Sequence, residues 1–360
     1  MARRAGRNPP VEHPAGRFRP AGRGAPRRVP LVRARARLRG VVLRRDVQSR
    51  QERGETVSLT GVLITDPPVP GSSEWLGHMS ASKVASAIGM VGAFDSPMGL
   101  WSKMTGRTPS GDIDPDRVTY GRYLEDALLA WVADTHEGEV TSGESYHHPE
   151  RREYTAAPDG HLWHPDGTVT LIECKTAMDA YQWGEPGTAE IPPKYLVQCA
   201  WQMYVTGARH VYVPVDVGMT FRLYEVHWHD VAEDMPGVLA AVEQFMAHVS
   251  TDTAPDWDGS DQTYQAVRYW HPEIEDTEVE VTTDTAQELA AAIVARKDAE
   301  AVERELKSRL MAQMGTARKA VTPGGMTVAT RQARNGGTPA LITARGLPNA
   351  APQPTEVTAT

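Results

Sequence analysis

Cysteine is nearly absent from this 360-residue chain: only Cys174 and Cys199 occur, each inside an apolar stretch. That excludes a disulfide scaffold and makes the cytoplasm the expected compartment. Two cysteines are also too few for a four-cysteine iron–sulfur cluster. No apolar run reaches the roughly 18–20 residues that a membrane-spanning helix needs, so no membrane association is expected. The Gly-rich phosphate loop ending in Lys-Ser/Thr is missing, so ATP is not an expected cofactor.

Lysine is missing from the first 53 residues, which hold sixteen arginines against three acids, Glu12, Asp46 and Glu52. This segment is near +13, which leaves about −21 for the rest of a chain whose formal charge is −8. Rich in Gly, Pro and Ala, residues 1–55 are expected to form an arm without a fold of its own. The arm reads either as a nucleic-acid tether that neutralises phosphates or as an extension read upstream of the true start.

The most informative stretch runs from Asp159 to Lys175, DGHLWHPDGTVTLIECK. Two apolar-rich runs flank His164-Pro165-Asp166-Gly167, and Asp-Gly is a strong tight-turn signal, so a β-hairpin is expected. In its second run, the period of two puts Glu173 and Lys175 on one face. The paired strand brings Asp159 beside them. Two carboxylates and an ammonium at one point suit metal-assisted phosphodiester hydrolysis. Asp159 and Glu173 are hard oxygen ligands for Mg²⁺, and the backbone carbonyl of Cys174 could supply a third. Lys175 would orient the attacking water or stabilise charge on the phosphate. The bland alternative is a surface hairpin whose charges face solvent.

Two helices frame this hairpin. In Tyr120–Trp131 (YGRYLEDALLAW), Tyr123, Leu124, Ala127, Leu128 and Trp131 form an apolar stripe, and Glu125 sits beside it, able to reach inward. In Lys194–Gly207, Gln198 and Gln202 stand on an otherwise apolar helix, where a buried amide needs partners. Both glutamines are therefore candidates, with a partly exposed helix position as the preferred reading of Gln202. Before them, Ser80-Ala81-Ser82-Lys83 precedes an apolar helix, with Ser80 as its expected N-cap.

In this order the blocks EWLGHMSASKVASAIGM (with PMGLW and Thr105-Gly106 following), YGRYLEDALLAW, the Asp159–Lys175 hairpin and KYLVQCAWQMYVTGARHVYVPV resemble the PD-(D/E)xK nuclease superfamily, in its λ-exonuclease/YqaJ-like branch of viral recombination nucleases. The likeness spans about Glu74 to Tyr224. It implies an α/β, restriction-endonuclease-like core: a mixed central β-sheet flanked by helices, with a C-terminal helical extension. It also implies a Mg²⁺-dependent exonuclease, with Mn²⁺ as a substitute, acting 5′→3′ on linear double-stranded DNA ends. The implied partner is a single-strand annealing protein that receives the 3′ single strand, and the implied assembly is a ring-shaped homotrimer. The resemblance makes Glu125 a further metal carboxylate, Gln198 a residue that positions water or phosphate, and Ser82 a phosphate contact with Lys83 beside it. One departure concerns the first block. The family's arginine between the tryptophan and this serine is missing between Trp75 and Ser82, which leaves 5′-phosphate recognition open. Other readings are an endonuclease or a Cas4-like enzyme of the same fold without its cluster, and a non-catalytic DNA-end binding module.

Basic residues available for the DNA backbone are Lys83, Lys103, Arg107, Arg122, Arg151, Arg152, Lys194 and Arg209. Arg122, beside Glu125, and Lys194, which starts the Gln198 helix, are the two expected contacts. Domain boundaries are expected at 72–250 for the core and 251–335 for an extension. The extension carries a long helix over 285–314, capped by Asp284 or Thr285 and ended by Gly315. Residues 336–360 read as a flexible tail.

Overall fold

The computed structural model describes residues 59–109, 115–333, 336–344 and 347. The Arg-rich arm therefore lies outside the described residues. Two compact units divide between Glu273 and Ile274.

The first unit begins with β1 (Val62–Leu63), α1 (Ser73–Leu76), β2 (Met79–Ser80), α2 (Ala81–Ala87), α3 (Pro97–Met104) and α4 (Pro115–Thr135). The strands β3 (Glu139–Ser142), β4 (Tyr146–His147), β5 (Tyr154–Ala156), β6 (Gly160–Trp163), β7 (Val169–Ile172) and β8 (Lys175–Ala177) follow. Then come α5 (Pro193–Thr206), β9 (His210–Val217), β10 (Phe221–His227), α6 (Trp228–Val231), α7 (Met235–Ser250) and α8 (Asp261–Arg268).

The main sheet has the order β10-β9-β7-β6-β3, with β8 also paired to β9. The expected hairpin is present: β6 and β7 pair antiparallel, Gly160 opposite Ile172 and Trp163 opposite Val169. Its turn is closed by Asp166 Oδ1, which accepts from the Thr168 amide at 2.9 Å and the Thr168 hydroxyl at 2.7 Å. Beyond α5 the chain returns as β9, parallel to β7 and β8, while β10 runs antiparallel to β9. The sheet is thus mixed, as expected of a restriction-endonuclease-like core. A second sheet, β1-β4-β5-β2, packs around α5 and α2.

The odd-numbered valines of β9, Val211, Val213, Val215 and Val217, are all buried with Trp201, Met203 and Val205 of α5 in the principal core. Tyr212, on the even-numbered face, packs against a smaller cluster of Leu129, Val132, Val140, Leu162 and Ile172. Proline at the first position starts α5, and Gly207 in the left-handed conformation (φ 80°) ends it, as helix termini favour. The apolar stripe of α4 is rotated from the expected one. Leu128, Leu129 and Val132, in the C-terminal half of the helix, are buried against the sheet, whereas Tyr123 is 68% exposed. Gly160 allows this close approach, since a Cβ there would meet Leu129 Cδ2 at 2.5 Å.

The expected boundary at 250/251 moves to 273/274. Residues after α7 belong to the first unit: Ser96 and Thr263 hydroxyls bond at 2.7 Å, and Trp270 Nε1 donates to Ser102 Oγ at 3.0 Å. The second unit contains α9 (Thr283–Met314) and a sheet of β11 (Lys319–Val321), β12 (Thr327–Gln332) and β13 (Ala340–Thr343). Its helix is capped by Thr282, whose hydroxyl accepts from the Thr285 amide, rather than by Asp284 or Thr285; Gly315 is the C-cap as expected. β13 lies in what the sequence presents as a tail, and the rest of that tail falls outside the described residues. Among the described residues, no helix is long and apolar enough to cross a membrane, and both cysteines are free.

Candidate active site

The ladder between β6 and β7 stops at Gly160–Ile172, and the side chain of Asp159 takes over from it. Asp159 Oδ2 accepts from the Cys174 amide at 2.7 Å. On the other side, the Glu173 amide donates to the Tyr212 carbonyl of β9 at 2.9 Å. The expected single strand is therefore interrupted at Glu173-Cys174 and resumes in β8 in the same register on β9, Ile172 opposite Tyr212 and Lys175 opposite Val215. The interruption holds Asp159, Glu173 and Lys175 together at the carboxyl end of β7.

Glu173 is buried, and its carboxylate is held on three sides. Oε1 accepts from Gln198 Nε2 at 2.5 Å and from the Lys175 ammonium; Oε2 accepts from Gln202 Nε2 at 2.5 Å. One turn of α5 separates the two amides, so the helix presents both to one carboxylate. Gln202 is fully buried, which corrects its reading as a partly exposed position. Its spacing from Gln198, four residues along an apolar helix, was the available signal.

Glu125 of α4 lines the same cleft, about 260 Å³ in volume, with Gly121, Asp159, Glu173, Cys174, Lys175, Tyr195 and Phe94. Burial, Asp126 and Glu173 push the Glu125 carboxyl above its ordinary range. Asp159 is pushed well above it, first by burial and then by Glu173 and Glu125. Burial alone would lower the pKa of Lys175, but the Glu173 and Asp159 carboxylates outweigh it and hold the ammonium protonated. Three carboxylates thus face one ammonium.

That imbalance is what a site for a hard divalent cation looks like. The donors are all oxygen, the carboxylates repel one another, and a 2+ ion would relieve both burial and repulsion. Each carboxylate oxygen has two lone pairs, and Glu173 Oε2 accepts only one of the hydrogen bonds described, so a lone pair is left for an ion. The donor set of Asp159, Glu125 and Glu173 therefore fits a hard divalent cation.

The expected phosphate contacts divide. Ser82 is exposed at the first turn of α2, with Ser80 Oγ 3.2 Å away. Ser80 occupies the N-cap position but makes no capping side-chain bond. Lys83 is buried, and its ammonium donates to the carbonyls of Trp75 at 2.5 Å, His78 at 2.6 Å and Leu76 at 3.5 Å while lying 3.7 Å from the Trp75 ring centroid. Burial draws its pKa down to about 7. Lys83 thus fastens the end of α1 and is not free for a phosphate, a correction to its expected role. Lys103, Arg107 and Arg151 are paired with Asp95, Asp252 and Glu243. Arg122 is exposed on α4. Lys194 lies at the mouth of the cleft, 4.0 Å from the Phe94 ring centroid and 5.1 Å from that of Tyr195. Burial and the neighbouring Lys175 lower its pKa.

Residues 74–209 match the model of the YqaJ-like viral recombinase domain. Over 201 residues the chain is 28% identical to the uncharacterized protein YqaJ of Bacillus subtilis (strain 168), covering 53% of this chain and 60% of that protein. The chain thus spans less than two thirds of that relative's length. Among solved structures, an alkaline exonuclease from Laribacter hongkongensis is 20% identical, covering 51% of this chain and 94% of that one, with a TM-score of 0.39. A phage-related exonuclease from Haemophilus somnus 129PT is 12% identical, covering 49% and 96%, with a TM-score of 0.32. Glu125, Asp159, Glu173, Lys175, Gln198 and Gln202 all fall within the stretch that is similar to the YqaJ-like viral recombinase domain.

Proposed function

We propose that the chain is a Mg²⁺-dependent exonuclease that degrades linear double-stranded DNA from its ends in the 5′→3′ direction. The observation that carries this reading is the convergence of Glu125, Asp159 and Glu173 on one cleft with Lys175, under the clamp of Gln198 and Gln202. On this reading Asp159, Glu173, Glu125 and the Cys174 carbonyl hold the cation. When bound, it polarises the scissile phosphate and lowers the pKa of a bound water. Lys175 stays protonated, so it donates hydrogen bonds and neutralises charge that develops on the phosphate, rather than taking a proton. Gln198 and Gln202 keep Glu173 in one orientation throughout. Lys194 and Arg122 meet the DNA backbone outside the cleft, and Ser82 contacts a terminal phosphate. The product is a 3′ single strand, the substrate of a single-strand annealing protein.

The test uses linear duplexes labelled at the 5′ end or internally, together with a covalently closed circle, all in Mg²⁺. Early release of the 5′ label, later release of internal label and an intact circle are expected. Cutting of the circle would transfer the assignment to an endonuclease, and end binding without hydrolysis to a non-catalytic module.

A further inference from the structure

A second set of metal-ligating side chains lies on the β9–β10 hairpin. His210 begins β9, and its pairing partner in the ladder is His227 at the end of β10; Glu225 precedes His227 by two and so shares its face. One ligand atom from each of the three residues lies within 4.8 Å of the others. Glu225 Oε2 is 3.4 Å from His210 Nε2 and 3.9 Å from His227 Nε2. Ligands about 2.0–2.2 Å from a tetrahedral Zn²⁺ lie about 3.3–3.6 Å from one another. The first distance already meets this spacing.

His210 is prepared as a ligand. The hydroxyl of Thr170 lies 3.2 Å from His210 Nδ1 and 2.9 Å from His164 Nε2. A hydroxyl that donates to His164 accepts from Nδ1–H of His210, which leaves the Nε2 lone pair open. Among the described residues, buried Nε2 of His210 has no hydrogen-bond partner. An imidazole oriented through its other nitrogen is the usual arrangement of a metal-bound histidine. The His210 and His227 imidazoles stack at 4.0 Å with 10° between their planes. Turning both lone pairs onto one ion tilts His227 out of this stack, a motion open to a side chain that is 42% exposed.

We propose that His210, Glu225 and His227 form a transition-metal site that takes Zn²⁺, with water as the fourth ligand, separate from the nuclease centre. Two imidazoles and a carboxylate select zinc-like ions over Mg²⁺. Bound there, the ion cross-links β9 to β10, two residues along β9 from the Tyr212 carbonyl that accepts from the Glu173 amide. The site is independent of the nuclease reading.

The test removes the nuclease-centre carboxylates with Asp159→Asn and Glu173→Gln in the full chain. It then titrates metal-free protein with ZnCl₂ against a chromophoric chelator. One Zn²⁺ per chain is expected. Binding should weaken by at least about tenfold in His210→Ala and Glu225→Gln, since loss of an outer partner alone costs roughly 10–100-fold. Co²⁺ should give the visible absorption of a four-coordinate ion, and His227→Gln should abolish it. Circular dichroism reports whether each variant folds; if His210→Ala does not, the half-exposed His227→Gln decides. No zinc bound in the Asp159→Asn/Glu173→Gln chain, or equal affinity with and without His227, would overturn the proposal.

Discussion

Gln202 Nε2 donates to Glu173 Oε2 at 2.5 Å, one helical turn beyond Gln198, whose amide holds Glu173 Oε1 at the same distance. The buried Oε1 of Gln202 has no partner among the described residues, so this amide is placed for what it donates. Hydrogen bonds to charged groups contribute about 1.5–3 kcal/mol. Gln202→Leu is therefore expected to lower kcat about 10- to 100-fold, with KM changed less than about threefold, because Gln202 acts through Glu173. Steady-state kinetics on linear duplex checks this. An unchanged kcat would mean that Lys175 and Gln198 fix Glu173 without it.

Asp159→Asn is expected to make the metal-free protein more stable at pH 8. Burial, Glu173 and Glu125 raise the folded-state pKa of Asp159 above its unfolded value. A carboxyl shifted in this direction does not weaken the fold below the unfolded pKa. Its destabilisation grows as pH rises toward the folded pKa and is complete above it. Asparagine keeps an oxygen to accept from the Cys174 amide and carries no charge. At ~1 kcal/mol the gain would be about 2–4 °C in Tm, readable by thermal melts in EDTA. The gain should shrink as pH falls below the unfolded carboxylate range. Mg²⁺ should raise the Tm of wild type at pH 8 and leave Asp159→Asn nearly unmoved.

Lys83→Met is expected to destabilise the first unit by about 1–3 kcal/mol, because three backbone carbonyls lose a buried donor. In the fraction that folds, the salt dependence of DNA binding should be that of wild type. A shallower salt slope in Lys83→Met would restore this lysine to the phosphate contacts.

Lys194→Ala and Arg122→Ala should each weaken binding of every duplex sequence alike and reduce the slope of log K against log salt by about one. The stability of the fold should hardly change, as Arg122 is exposed and Lys194 half-buried. Salt titrations of binding in Ca²⁺ would measure the slope without cleavage.

The hairpin that carries Asp159, Glu173 and Lys175 was legible because strand alternation and an Asp-Gly turn are local signals. The burial of Gln202 is not legible, because burial depends on what covers a helix face, and the sequence does not say that Glu173 lies there. The same limit applies to Lys83, whose role is decided by the carbonyls of Trp75, Leu76 and His78 when α1 ends beneath it. The stripe that includes Tyr123 continues along α4, whereas the fully buried side chains of that helix begin at Leu128. The pairing of His210 with His227 needs the register of a hairpin whose turn, Gly218-Met219, puts both residues at positive φ. That register joins residues seventeen apart, a separation that no helical or strand period marks.

The most direct measurement is the rate of nucleotide release from a linear duplex in Mg²⁺ by wild type, Lys175→Ala and Glu173→Gln, each with a melting curve. Losing a donor that stabilises developing charge costs about 10²–10³-fold in rate. A loss of that size or larger in both variants, in chains that melt as cooperatively as wild type, is expected. Activity within about tenfold of wild type in a folded Lys175→Ala chain would contradict the assignment of this cleft as the hydrolytic centre.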